Sequence, residues 1–251
     1  MSDGTVPRGG GSGRAVKERV MKTIIIGDIH GCSSALRLLL AKISPNAEED
    51  RLILLGDLFD RGPDSWGVFG MVQELAKKYG DRFTLIRGNH EDYLLTEKMN
   101  FSTRLMWNRV GRGTTVKSFK AHRDKMENSI PWVREHVQYF YRGDGFQCVH
   151  AGLRVEPMEA NDYDTMIHDH SVAKENRYQG PLTIVGHIAL ERPVWFPGGG
   201  DSITFLEYGK YYDLPSKGIL CIDTGCGKGG KLTGMVIRDG KYILHSVGEA
   251  Q

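Results

Sequence analysis

Residues 23–31 read TIIIGDIHG. Three consecutive isoleucines are β-branched and apolar, and glycine closes the run early, which predicts a short buried strand. Beyond its end stand Asp28 and His30, two residues apart and therefore on one side of an extended chain. A carboxylate and an imidazole facing one way from a rigid strand end form half of a metal site. On this stretch alone, a loop carboxylate capping the following helix is an equally good reading.

Recurrence decides between the two. RLILL at 51–55 runs into Gly56-Asp57 and then LFDRGPDS. A strand predicted over 83–87 ends in Gly88-Asn89-His90-Glu91, FQCV at 146–149 ends in His150-Ala151-Gly152, and LTIV at 182–185 ends in Gly186-His187. Between the first strands lie helical patterns, 33–43 with Leu36, Leu39 and Leu40 on one face, and 68–79. Ser33 or Ser34 is the expected cap of the first. Strands alternating with helices predict βαβ units and a largely parallel sheet, whose functional groups gather beyond the carboxyl ends of the strands.

The rest of the chain is less informative. Residues 92–137 read as mainly helical, with Trp107, Trp132, Phe119 and Met106 as core or cap residues. Residues 156–180 read as a polar, irregular segment overhanging the site, and PGGGD at 197–201 as a flexible loop. A strand is expected within 202–207. Antiparallel strands are expected at 219–223, 235–238 and 242–245, the last two joined by an Asp239-Gly240 hairpin. Residues 1–20, with GGGSG at 9–13, read as a disordered leader or tag, and 21–251 as a single domain.

Composition bounds the partners. With 251 residues and 40% hydrophobics the chain can bury a sizeable core. A net charge of +2 is too small to predict a nucleic-acid duplex or a membrane surface as partner. No apolar stretch reaches the length of about 18 residues that a membrane span requires. Four cysteines without a C-x-x-C pair suit a reducing, cytoplasmic setting.

The strand-end residues Asp28, His30, Asp57, Asn89, His90, His150 and His187 mix carboxylate, amide and imidazole without thiolate, a donor set for Mn²⁺, Fe or Zn²⁺. They outnumber the needs of one ion, whereas two ions sharing a bridging carboxylate fit the count. In order and spacing, GDIHG, GDLFDRG, GNHE, HAG and GH resemble the phosphoprotein phosphatase group of calcineurin-like metallophosphoesterases, specifically the bacterial-type serine/threonine protein phosphatases. CIDTGCGKGGKLTG at 221–234 resembles the penultimate strand and Gly-rich turn of that group.

The resemblance implies an α/β fold, a four-layer α/β/β/α sandwich of two mixed sheets. It implies two divalent ions, one held by Asp28, His30 and Asp57, the other by Asp57, Asn89, His150 and His187. A shared anion offsets the repulsion of two cations about 3.5–4 Å apart, and a bridging hydroxide is the nucleophile that attacks phosphorus in line. His90 takes the place of the general acid, Asp60 holds that imidazole protonated, and Arg61 and Arg87 grip phosphoryl oxygens.

The chain departs from the pattern at Phe59, where the group has valine. It also departs within 162–177, DYDTMIHDHSVAKENR, where no arginine stands at the place expected for a second phosphate-gripping one; Arg154 comes earlier and Arg177 only at the end of the stretch. The expected activity is hydrolysis of phosphoserine and phosphothreonine in proteins, with hydrolysis of dinucleoside polyphosphates as the alternative. Asp60 tilts the choice, because the diadenosine tetraphosphatases compared with it carry a small residue there. A metal-bound module without catalysis would lack a ligand, and none is missing.

Overall fold

The first sheet is built from side chains that alternate between two cores. In β1 (Thr23–Ile26), Ile24 and Ile26 face one core and Ile25 the other, and all three are fully buried. β2 (Arg51–Leu54) divides in the same way, with Leu52 and Leu54 on the first side and Ile53 on the second. β3 (Phe83–Ile86) follows with Leu85 and Ile86. A strand covered on both faces has no polar side, which is why these segments read as unbroken apolar runs. The computed structural model describes residues 21–200 and 202–248. The leader or tag expected at 1–20 lies outside the described residues.

The helices α1 (Ser33–Ile43) and α2 (Ser65–Tyr79) return the chain so that β1, β2 and β3 run parallel. α3 (Asn89–Leu95), α4 (Phe101–Arg109), α5 (Arg112–Ala121) and α6 (Ile130–His136) follow, as expected for 92–137. The chain then forms β4 (Val137–Gln138), β5 (Phe140–Arg142) and β6 (Gln147–Val149), the short helices α7 (Tyr163–Ile167) and α8 (Val172–Glu175), and β7 (Thr183–Val185). β8 (Val194–Phe196), β9 (Thr204–Phe205), β10 (Tyr211–Asp213), β11 (Ile219–Cys221), β12 (Lys231–Arg238) and β13 (Lys241–Gly248) complete it.

Among the described residues one sheet has the order β10-β13-β12-β1-β2-β3-β4 and the other β5-β6-β7-β11-β8-β9. Both mix parallel and antiparallel pairs. Three apolar clusters mark the three interfaces of four layers. The first joins Leu36, Leu39, Val68 and Val72 of α1 and α2 to the outer face of the first sheet. The second, with Ile25, Ile53, Cys148, Ile184 and Leu220, lies between the sheets. The third packs Met166, Ile167, Val172 and Ala173 of α7 and α8 against Val185 and Cys221. The α/β/β/α sandwich is therefore the observed fold.

Several local expectations change. β11 pairs parallel with β7 and antiparallel with β8 in the second sheet, rather than with the final hairpin. Its three residues are buried on both sides, so no alternation marked its partners. The expected strand in 202–207 shrinks to the two exposed residues of β9. The segment 156–180 is not a polar overhang throughout, since Met158, Met166, Ile167, Val172, Ala173 and Tyr178 are buried. These residues sit in short turns whose spacing has no single period.

α1 starts after Cys32 with no side-chain cap, because the Ser33 hydroxyl donates to Asp64 Oδ2 at 2.5 Å. α2 starts at Ser65, three residues earlier than its periodicity indicated, with Asp64 accepting from Gly67 N. The Asp239-Gly240 hairpin is present, and both residues take the positive φ, 53° and 69°, that a tight two-residue turn requires. Among the described residues, no helix is long and apolar enough to cross a membrane.

Candidate active site

Every predicted metal-ligand residue stands just beyond the carboxyl end of a strand: Asp28 and His30 after β1, Asp57 after β2, Asn89 after β3, His150 after β6 and His187 after β7. The two sheets meet there. The backbone N–H of His187, from the second sheet, donates to Asp28 Oδ2 at 3.0 Å, and His150 Nδ1 bonds Leu55 O at 2.7 Å.

The loops that carry these groups are locally unfavourable. Nine non-glycine residues among those described have positive φ, and five of them are His30 (45°), Asp57 (51°), Asp60 (69°), Arg61 (66°) and His187 (63°). Left-handed backbone is costly for residues with a Cβ and persists where its surroundings over-determine it. Here the surroundings are identifiable. His30 N donates to Asp57 O at 2.8 Å and Gly31 N to Leu58 O at 2.8 Å. The buried Glu91 carboxylate accepts from the backbone N–H groups of Asp57 (2.7 Å), Leu58 (2.8 Å) and Gly88 (3.0 Å). Burial, and then the charge of Asp57, pushes the Glu91 carboxyl up to about 7.

Donor chemistry tests whether cations fit. A carbonyl oxygen only accepts, so His30 Nδ1 and His150 Nδ1 carry their hydrogens toward Phe59 O (2.9 Å) and Leu55 O (2.7 Å). Each Nε2 lone pair is thereby turned inward. His187 is the reverse: Nε2 faces His168 O at 3.2 Å, which leaves Nδ1 inward. His187 Nδ1 and His150 Nε2 are 3.2 Å apart, and each lies 3.1 Å from Asn89 Oδ1. Three acceptors converge on one point.

Asp57 extends the convergence, with Oδ2 3.4 Å from His30 Nε2 and Oδ1 3.5 Å from His150 Nε2. Two sets, His30-Asp57-His90 and Asp28-Asp57-His150, each bring their donor atoms within 4.8 Å of one another. Burial is the largest influence on the three imidazoles and lowers all of them, His30 well below its usual value and His187 to about 2. They are neutral and keep their lone pairs. Burial would raise Asp57, but its cationic neighbours, Arg61 and the raised His90 among them, outweigh it and hold the carboxylate ionised. Neutral imidazoles, an amide oxygen and a carboxylate pointing together suit divalent cations.

His90 differs from the other histidines. Its Nδ1 lies 2.6 Å from Asp60 Oδ2, and its Nε2 is buried, without a hydrogen-bond partner, and 3.8 Å from Asp57 Oδ2. Burial opposes its protonation, but Asp57 and Asp60 prevail and raise its pKa. Asp60 also accepts from Trp107 Nε1 and from Thr115 Oγ1, each at 2.6 Å, and so ties α4 and α5 to the site.

Arg61 bonds His30 Nε2 through Nη1 and is half-buried at the same point. Gly227 leaves the room for this: a Cβ there would stand 2.7 Å from His30 Cβ and 3.1 Å from Arg61 Cβ. Arg87 is placed elsewhere. It pairs with Asp92 at 2.5 Å and bonds the Tyr139 hydroxyl at 3.0 Å, outside the converging groups. Arg154 is held by Asp169, Glu175 and Ser171.

Sequence reasoning missed four contributors. Asp223 is buried against Asp28, with one oxygen lacking a partner. It ends β11 as the other site residues end their strands, and that signal was available. Glu91 stands at a strand end beside Asn89, but nothing in its local spacing points to the backbone around Asp57. Trp107 and Thr115 brace Asp60 from helices whose approach no local pattern records.

The calcineurin-like phosphoesterase pattern matches residues 21–221. Over 133 residues the chain is 36% identical to the symmetrical bis(5'-nucleosyl)-tetraphosphatase of Nitrosomonas europaea, covering 53% of this chain and 45% of that protein. Over 117 residues it is 32% identical to serine/threonine-protein phosphatase 1 of Salmonella typhimurium, covering 44% and 51%. The chain thus spans about half the length of the curated relatives it matches. A solved structure, proposed to be a diadenosine tetraphosphatase, superposes with a TM-score of 0.60 at 20% identity, covering 92% of this chain and 98% of that one.

These likenesses overturn the expected phosphoserine and phosphothreonine hydrolysis, since the tetraphosphatase matches at higher identity over more of the chain than the protein phosphatase does. Asp60, which had favoured phosphoproteins, does not discriminate: its bonds to Trp107 and Thr115 give it an anchoring task whatever the substrate. The match across 21–221, on a four-layer sandwich with histidine and carboxylate donors at its strand ends, makes this chain a member of the calcineurin-like phosphoesterase family.

Proposed function

We propose that the chain hydrolyses dinucleoside polyphosphates at a centre of two divalent cations, with manganese the first to try and iron or zinc next. One observation carries the substrate class: the 36% identity over 133 residues to a symmetrical bis(5'-nucleosyl)-tetraphosphatase. Asp28, His30 and Asp57 would hold one ion, and Asp57, Asn89, His150 and His187 the other. Bound there, the cations supply Lewis acidity toward phosphoryl oxygens and acidify water near neutral pH.

The chain's own residues do the rest. Glu91 fixes the peptide units on either side of Asp57, so that carboxylate points inward without reorganisation. Arg61, at the edge of the cluster, offers planar N–H donors that match a phosphoryl oxygen pair. His90 holds a proton at Nε2, aimed at the interior, and supplies it to the departing phosphate oxygen. Asp60 keeps that imidazole in the required tautomer, because its carboxylate accepts from Nδ1–H.

The test compares initial rates on diadenosine tetraphosphate, a phosphoserine peptide and p-nitrophenyl phosphate with added Mn²⁺. Faster turnover of the dinucleotide than of the peptide is expected. The reverse order overturns the substrate class, and no turnover of any of the three with Mn²⁺, Fe²⁺ or Zn²⁺ overturns the enzyme.

A further inference from the structure

A cavity of about 430 Å³ opens beside the converging groups, between α3, α4 and α7. We propose that this cavity, walled by Tyr93, Met106 and His168, is a nucleoside subsite that takes the base and ribose of the substrate while its phosphates lie on the histidine–carboxylate cluster. This inference rests on the reading of the chain as a dinucleoside polyphosphate hydrolase.

Position is the first argument. Tyr93 lies four residues after Asn89 on α3, about one turn along the axis and therefore on the same face of the helix. The Tyr93 ring centroid is 5.9 Å from that of His90 and 6.0 Å from that of His168. His168 in turn accepts from His187 through its backbone oxygen at 3.2 Å. The cavity therefore adjoins the cluster through both of its aromatic walls, and a group attached to a phosphate on the cluster enters it directly.

Chemistry is the second argument. Two rings and the half-exposed Met106 thioether present polarisable surface of the kind on which a flat base packs. The hydroxyls of Ser102 and Thr103 and the exposed Asp164 carboxylate line the same space and suit ribose hydroxyls and a base amine. A volume of this order is within the usual range for small-molecule sites, about 300–1,000 Å³.

Charge is the third. The cavity lining includes two carboxylates, Asp92 and Asp164, and no lysine or arginine. Asp92 is already paired with Arg87 and His168, so the lining offers phosphate no cationic side chain of its own; the polyphosphate chain stays on the cluster and Arg61 and leaves the uncharged nucleoside for the cavity.

The experiment uses the full chain with Mn²⁺. It measures kcat/KM for diadenosine tetraphosphate and for p-nitrophenyl phosphate, and the inhibition of p-nitrophenyl phosphate turnover by ADP and by pyrophosphate. Met106→Glu puts a charge on the wall at a half-exposed helix position. Leu105→Glu, at an exposed neighbour outside the cavity lining, is the control, and thermal melting confirms that both variants fold.

ADP is expected to inhibit wild type about tenfold more tightly than pyrophosphate, in line with base stacking. Met106→Glu is expected to lower the dinucleotide-to-nitrophenyl kcat/KM ratio about tenfold and to erase the advantage of ADP. Leu105→Glu should change neither. If wild type cleaves the dinucleotide and Met106→Glu keeps both the ratio and the ADP advantage, the subsite is overturned and the functional reading stands. If wild type fails on the dinucleotide yet binds ADP in preference through Met106, the functional reading falls and the subsite stands. ADP no better than pyrophosphate on wild type removes the subsite in either case.

Discussion

Replacing Asp60 by asparagine separates what this carboxylate does for the fold from what it does for His90. Its Oδ2 accepts from His90 Nδ1 and Trp107 Nε1, and its Oδ1 from Thr115 Oγ1, all at 2.6 Å. Bonds to a charged acceptor contribute about 1.5–3 kcal/mol each, roughly twice the neutral value. An asparagine turned with its oxygen toward His90 and Trp107 keeps two bonds at about half strength, and its amide meets a Thr115 hydroxyl that can rotate to accept. The gross loss is about 2–4 kcal/mol, reduced because a buried charge no longer has to be desolvated. A net destabilisation of about 2 kcal/mol corresponds to a fall in Tm of about 4–8 °C for a chain of this size.

The functional effect is separate. His90 is held above its ordinary pKa by Asp57 and Asp60 against the opposing effect of burial. A general acid works below its pKa, so activity should fall as pH rises through that raised value. Removing the Asp60 charge lowers the His90 pKa and moves the alkaline limb of the kcat profile to lower pH. The assay is kcat against pH, with saturating Mn²⁺ and diadenosine tetraphosphate, for wild type and Asp60→Asn, alongside thermal melts. A variant that melts lower as expected but keeps its alkaline limb in place refutes the pairing of Asp60 with a catalytic His90.

His90→Asn should lower kcat more for aryl phosphates with poor leaving groups than for those with good ones, and an equal loss along such a series removes His90 as proton donor. Glu91→Gln weakens the acceptor for three backbone N–H groups around Asp57, so titration calorimetry should find Mn²⁺ affinity lower by about 10–100-fold. Asn89→Ala should reduce the Mn²⁺ stoichiometry from two to one; retention of both ions excludes Asn89 as a ligand. Gly227→Ala sets a Cβ against His30 and Arg61 at a φ of +80°, and should cost about 1–3 kcal/mol in a denaturant melt while lowering activity, whereas Gly229→Ala, with open space around it, should cost only its backbone strain.

The sequence by itself showed the strands that run into the site and the metal-type donors at their ends, for one physical reason. A strand buried on both faces must be an unbroken apolar run, and a chain leaving such a strand must turn at once, so Ile24–Ile26 before Asp28 and Ile184–Val185 before His187 are visible locally. Periodicity also located α1 to the residue.

Only the tertiary structure decided what comes from elsewhere in the chain. Trp107 and Thr115 reach Asp60 across 47 and 55 residues, and Glu91 reaches Asp57 across 34, distances over which spacing carries no signal. The pairing of β11 with β7, the apolar undersides of α7 and α8 and the capture of Arg87 by Asp92 belong to the same class. Local patterns show which groups are offered at a strand end. Which of them meet, and in which protonation state, is set by long-range packing that removes water and brings distant charges within a few ångströms.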